Sequence, residues 1–263
     1  MDKFEIICKK RINTLFFVGI ILSILIPAQG DFPTSNYSFP PINISVQLFC
    51  PDSITLSIEA FEQTSAFEYP SGFSISPITS DIFSRIYGHS YPQDCPVPLN
   101  SLRYLTVLHT GFDGLTHQGE LIVNEQIAGL ILGIFCRLYE AGYPIEKISL
   151  IDNYSADDEA SMTDNNTSAF CYRSIAGTDT LSLHSYGLAI DINPLYNPYI
   201  YGNTISPAAS PYDREAGTVS SPYFMTEADY CVQLFLSLGF TWGGSWDTPK
   251  DYQHFEYRIE AIS

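Results

Sequence analysis

Basic residues are scarce in this chain. Twelve Lys and Arg stand against 29 Asp and Glu in 263 residues, for a formal net charge of −17. The first 30 residues hold Lys3, Lys9, Lys10 and Arg11 against Asp2 and Glu5 and are net +2, which leaves −19 for the remainder. Phosphate backbones and anionic membrane surfaces are bound through clustered Lys and Arg, so nucleic acid is excluded as a partner class. The acidity reads as a solubility feature. Charged residues of either sign amount to only 16%. No C-x-x-C pair occurs, which argues against a cysteine zinc knuckle. There is no internal repeat.

Apolar residues, in contrast, reach 45%, with 18 Tyr and 17 Phe among them. A charge-poor, aromatic-rich chain can bury enough surface to fold and does not have the composition of a disordered one. Its length suits one medium catalytic domain with a small N-terminal extension.

Residues 1–30 read as a secretory signal peptide. Basic residues at 3–11 precede the apolar run Leu15 to Ile26, and small residues follow at Ala28 and Gly30. That is the order of charged region, apolar region and cleavage site. The run of about a dozen residues falls short of the roughly 20 that a spanning helix needs. The rival reading is an uncleaved N-terminal anchor, and it is the one membrane contact the sequence suggests. The expected location is therefore outside the cytoplasm of a bacterium, in the periplasm or the medium. Five cysteines lie beyond this segment: Cys50, Cys95, Cys136, Cys171 and Cys231. Export permits disulfides, but an odd count leaves at least one thiol free or paired between chains.

Residues 31–79 are rich in Pro, Ser, Thr and Phe and form the extension. The alternating runs 44–48 and 54–58 predict a strand pair there. The main domain is expected over 80–263. Within it 103–108 predicts a strand, and Gly111 with Gly114 a turn. Ile127, Ile131, Ile134 and Leu138 recur at helical spacing over 124–141, with Gly142 and Pro144 as terminators. Residues 148–152 and 188–192 predict strands, while 153–183 and 194–225 read as long loops. Thr226 predicts the cap of a helix ending at Gly239, and strands are expected at 240–242 and 254–259.

Three segments carry chemistry: Ser182-Leu183-His184-Ser185-Tyr186-Gly187-Leu188-Ala189-Ile190-Asp191, Asp251-Tyr252-Gln253-His254 and Cys171-Tyr172-Arg173. Taken singly, His184 is more often a structural histidine, Asp191 a turn or backbone acceptor, and Asp251-x-x-His254 a solvated loop. Jointly they are more specific. A carboxylate inside the apolar run 188–192 is costly unless its charge is matched, and a metal matches it. His184, Asp191 and His254 make a three-ligand zinc set with a fourth position open to water. Asp251 stands where it can move a proton without being a ligand.

The first segment resembles the S-x-H-x-x-G-x-A-x-D signature of the M15 metallopeptidases, a family of D-alanyl-D-alanine carboxypeptidases, dipeptidases and L-alanyl-D-glutamate endopeptidases. Trp242-Gly243-Gly244-Ser245-Trp246, followed by 251–256, resembles the second signature. Residues 166–173, 111–114 and 117–121 are similar to further family segments, so the likeness spans about 80–260. It implies an α+β fold, a small mostly antiparallel sheet flanked by helices, of the DD-peptidase/hedgehog-like type. It implies Zn2+ on His184, Asp191 and His254, Asp251 as acid/base and Arg173 as the substrate-binding arginine. Ser182 and Trp246 are expected beside the site; Trp242 and Trp246 read either as cleft walls or as core packing. The implied substrate is the peptide stem of peptidoglycan, cut by carboxypeptidase action. An endopeptidase and a non-catalytic zinc-containing wall-binding module are the alternatives. Arg214 is a candidate holder of a substrate's terminal carboxylate, and His117 reads as a supporting residue.

Overall fold

The computed structural model describes residues 70–175, 177–214 and 220–259. The signal segment and the strand pair expected at 44–48 and 54–58 lie outside the described residues. The described fold is α+β, built from small sheets. Strand β1 (Ser74–Pro77), helix α1 (Ser80–Ile86), β2 (Leu102–Thr110), β3 (Thr116–Asn124) and α2 (Glu125–Glu140) form the first half. Then follow β4 (Lys147–Ile148), α3 (Asp158–Thr163), β5 (Asn166–Thr167), β6 (Ala189–Asp191), β7 (Tyr199–Tyr201) and β8 (Thr204–Ser206). The chain closes with α4 (Tyr230–Ser237), β9 (Thr241–Trp242), β10 (Lys250–Asp251) and β11 (His254–Glu256).

Three antiparallel sheets run in the orders β1-β2-β3, β10-β7-β8 and β6-β11-β9, and β4 and β5 form a short parallel pair. β1 lies ahead of residue 80, inside the segment read as an extension, and pairs with β2 from Ser74 opposite Thr106 to Pro77 opposite Arg103. The β2–β3 hairpin keeps its register over nine residue pairs.

Helix α2 is where the sequence pattern and the structure agree best. Asn124 caps it, its side chain accepting from the Gln126 N–H, as a short polar side chain at an N-cap should. Gly142, just past its end, sits at φ +64°, the left-handed C-terminal position that costs glycine little. Ile127, Ile131, Ile134 and Leu138 are buried against the sheets, and each contributes on the order of 1.5–3 kcal/mol through burial.

Elsewhere the local reading needs correction. The stretch 153–183 is a surface loop only in part: a 3-10 turn at Ile151–Tyr154, α3 and β5 occupy its first half and residues 165–171 are buried, while 174–175 and 177–180 are exposed. The strand expected at 148–152 is only two residues long, because Asn166 accepts from the Ser149 N–H and turns the chain away. The β7–β8 hairpin sits inside 194–225. The cap of α4 is Asp229, not Thr226; its carboxylate accepts from the N–H groups of Cys231 and Val232. Either residue suits the role by type, and tertiary contact with Tyr143, whose hydroxyl also binds Asp229, selects the second. Cys95, Cys136, Cys171 and Cys231 are free thiols.

Candidate metal centre

The centre is assembled on β6 and β11. These strands are antiparallel neighbours, and in their register His254 stands directly opposite Asp191. Cross-strand partners in such a ladder bring their side chains to one face within contact distance. His254 Nδ1 lies 2.9 Å from Asp191 Oδ1.

His184 reaches the same point from a 3-10 turn, Leu183–Tyr186. Ser182 caps that turn, its hydroxyl accepting from the His184 N–H at 3.3 Å. The His184 ring is oriented by its Nδ1, which donates to the Ala169 carbonyl oxygen at 2.5 Å. Nε2 is thereby left free to face the centre. It lies 3.2 Å from Asp191 Oδ2 and 3.2 Å from His254 Nδ1.

Gly187 makes this placement compatible with strand β6. At φ +67° it turns the chain out of the 3-10 turn, and a Cβ there would stand 2.6 Å from the Asn124 nitrogen. The same turn is gripped by the α2 cap, since Asn124 Nδ2 donates to the Tyr186 oxygen. Gly187→Ala adds left-handed strain to a backbone clash and is expected to cost about 2 kcal/mol or more. Thermal unfolding of the variant would check this, and an unchanged melting temperature would contradict it.

Three donor atoms converging at 2.9–3.2 Å fit a single cation. A tetrahedral zinc with bonds of about 2.0–2.1 Å separates its ligand atoms by about 3.3 Å. The three side chains are buried, with donor atoms mutually within 4.8 Å. Without a cation, two imidazole nitrogens would face each other across a carboxylate. In that metal-free arrangement burial disfavours the Asp191 charge, but His184 and His254 outweigh it and hold its pKa well below the usual carboxylate range. Burial likewise works against charged His254, and its contacts with Asp191 and Glu256 raise its pKa to about 10.

Asp251 sits on β10, which pairs with β7 opposite Tyr199. Burial raises its pKa to about 6, partly opposed by the charge of nearby His254. Its Oδ1 is buried and has no hydrogen-bond partner. Gly243 lets the chain press against this residue, for a Cβ at that position would come 2.5 Å from the Asp251 backbone carbonyl oxygen and 2.8 Å from its Cβ.

Arg173 has its backbone tied to Ser185, whose hydroxyl accepts from the Arg173 N–H and donates to the Arg173 carbonyl oxygen. Its Nη2 pairs with Asp158 at 2.9 Å, while its Nε is a second buried atom without a partner. Burial works to lower its pKa, and the charges of Asp158 and Asp191 reverse that. Burial in turn raises the pKa of Asp158, against the pull of Arg173. Asp158 was hidden in the polar run 157–159 that reads as a solvated loop; only its place on the first turn of α3 brings it here.

Trp246 stacks obliquely near His254, with ring centroids 5.6 Å apart. Trp242 does not wall the site. It is buried in the core, and its indole N–H donates to the Tyr252 oxygen. Arg214 is held inside its own loop, donating to Asn197 Oδ1 and the Met225 oxygen, with its guanidinium 3.8 Å from the Tyr252 ring centroid. His117 pairs with exposed Asp113, away from the cluster. Glu256 is the other residue the sequence reading passed over, although it follows His254 at the strand period of two that puts both on one face.

Comparison with known proteins bears on this set. Residues 176–257 match the model of a family described as D-alanyl-D-alanine carboxypeptidase, in the M15 peptidase group. The matched span contains His184, Asp191, Asp251 and His254 and begins just after Arg173. Searches of curated proteins and of solved structures returned no significant match. Residues 176–257, which carry the converging side chains, are thus similar to the M15 peptidase family.

Proposed function

We propose that the protein is a zinc-dependent peptidase of the D-alanyl-D-alanine carboxypeptidase type, acting on the peptide stem of peptidoglycan outside the cytoplasm. The observation that carries the reading is the convergence of His184, Asp191 and His254 beside the unpartnered carboxylate oxygen of Asp251. A DD-peptidase/hedgehog-type arrangement of the small sheets is part of the same proposal. Export rests on residues 1–30 alone; no helix among the described residues is long and apolar enough to cross a membrane.

His184 Nε2, Asp191 and His254 Nδ1 would hold the zinc. When bound, zinc supplies Lewis-acid chemistry, polarising a carbonyl and lowering the pKa of water toward about 7. Asp251 accepts the proton of the attacking water on its free oxygen and returns it to the leaving amine. Burial raises the pKa of its carboxyl in the metal-free protein, which favours proton uptake by the carboxylate. Arg173 presents its guanidinium to the negative charge that develops on the carbonyl oxygen. Asp158 fixes the orientation of that guanidinium. Ser182 keeps the His184 backbone in place, and Trp246 shields the His254 ring.

Arg173→Ala is expected to reduce kcat/KM by about 10²–10³-fold, the usual effect of removing one oxyanion donor. Steady-state hydrolysis of a stem-peptide substrate checks it, and a variant within twofold of wild type would remove Arg173 from the machinery.

The defining experiment is digestion of purified peptidoglycan with and without a chelator, read by mass spectrometry. Chelator-sensitive loss of a terminal D-Ala supports the carboxypeptidase reading. Chelator-sensitive internal cleavage would make the protein an endopeptidase. No product from protein shown to contain zinc would point to a wall-binding module instead.

A further inference from the structure

The carboxylate of Glu256 occupies a place that the metal centre does not account for. It is buried, on β11, two residues beyond His254. Its Oε2 lies 3.4 Å from His254 Nε2, the ring nitrogen facing away from Asp191 and His184. The other oxygen, Oε1, is held by the Arg258 guanidinium at 2.9 and 2.8 Å and lies 3.4 Å from the Thr241 hydroxyl. A buried carboxylate without such partners would be strongly unfavourable, so Arg258 and Thr241 keep the charge in place and leave Oε2 directed at the imidazole.

We infer that Glu256 is a positioning residue for the metal centre: it accepts the Nε2–H of His254 and so presents Nδ1 of that ring as the ligand atom, with Arg258 as its outer anchor. The inference rests on the zinc reading of the site and deepens it. His184 and His254 then use opposite ring nitrogens, each fixed by an acceptor on its far side. For His184 the acceptor is the neutral Ala169 carbonyl, and for His254 it is a full carboxylate. The Ala169 contact is the shorter, 2.5 Å against 3.4 Å, so Glu256 acts through its charge: a carboxylate behind a ligating imidazole raises its donor strength as well as fixing its tautomer.

The test is zinc affinity, measured by competition with a chromophoric chelator on the full chain at pH 7. Glu256→Ala is expected to weaken zinc binding about 10- to 100-fold. Glu256→Gln keeps an acceptor of the same shape without the charge and should restore part of that loss. Arg258→Ala, which leaves the carboxylate in place, should weaken binding less than Glu256→Ala. Thermal unfolding of the metal-free proteins shows that each variant is folded at the temperature of the zinc titration: Glu256→Gln loses the charge that pairs with His254 and Arg258, so it should melt below wild type yet stay folded there while binding zinc more weakly. Cobalt-substituted protein gives a second reading, because an altered donor at His254 shifts the visible ligand-field bands. Wild-type affinity and an unshifted cobalt spectrum in a folded Glu256→Gln or Glu256→Ala protein would overturn the inference while leaving the zinc site standing. Failure of the wild type itself to bind zinc would overturn both.

Discussion

Asp251→Asn is expected to lower kcat/KM by about 10²–10⁴-fold, the range supplied by a positioned proton-transfer group, with zinc content unchanged. In barrier terms that is roughly 3–5 kcal/mol. Asparagine preserves the volume and one carbonyl oxygen, so the packing against Gly243 survives, but it cannot take up a proton at neutral pH. Asp251→Ala should show the same loss. Metal retention is expected because Asp251 is not in the converging set: the three donor atoms come from His184, Asp191 and His254. The measurement is paired, with stem-peptide turnover and zinc content on one preparation. Equal turnover in variant and wild type would place the base elsewhere. Loss of turnover together with zinc would make Asp251 part of the metal shell.

Chelation should abolish hydrolysis and also reverse the sense of the protein's pH dependence. In the metal-free protein, His254 titrates at about 10 rather than near 6.5 because Asp191 and Glu256 stabilise its charged form against the cost of burial. A group whose folded pKa is raised contributes stability that is fully present below the unfolded pKa and is lost as pH rises through the folded one. The metal-free protein should therefore lose melting temperature progressively between about pH 6.5 and 10. Bound zinc requires neutral imidazoles, and its affinity falls as they protonate. The loaded protein should hold its melting temperature across that alkaline window and lose its advantage on acidification. Two melting series, with excess zinc and with chelator, decide the matter. Parallel traces would mean that no metal engages His254. Glu256 adds an acid limb to the chelated series: against the cost of burial, His254 and Arg258 hold its pKa at about 2, so its contribution is present above about 4.5 and disappears as pH falls through about 2.

How much of the site was legible depends on sequence distance. His184, Gly187 and Asp191 fall within eight residues, and their spacing is the local geometry of a turn entering a strand. Helix α2 was equally legible, because burial on one face imposes a 3.6-residue period and its cap and terminator act through adjacent backbone. The chemistry of the ligand types pointed to a metal before any coordinates did, since a carboxylate in an apolar strand must be compensated.

Tertiary structure decided the remainder. Nothing local states that β11 pairs with β6 in the register that sets His254 opposite Asp191; a one-residue slip would have turned His254 to the other face. Asp158 looks like one more solvated acid in a polar run until α3 carries it to Arg173. Arg214 is by sequence a candidate for a substrate's carboxylate, and its contacts with Asn197 and Met225 appear only when the loop closes on itself. Trp242 and Trp246 are four residues apart and indistinguishable by type, yet one is buried and the other stands against His254. The sequence by itself determined which side chains could bind a metal and move a proton, because that is a property of residue type and short spacing. Which of them meet, and which acids stand behind them, was decided by strand register and loop closure, because those contacts join residues far apart in the chain and are selected by the packing of the whole domain.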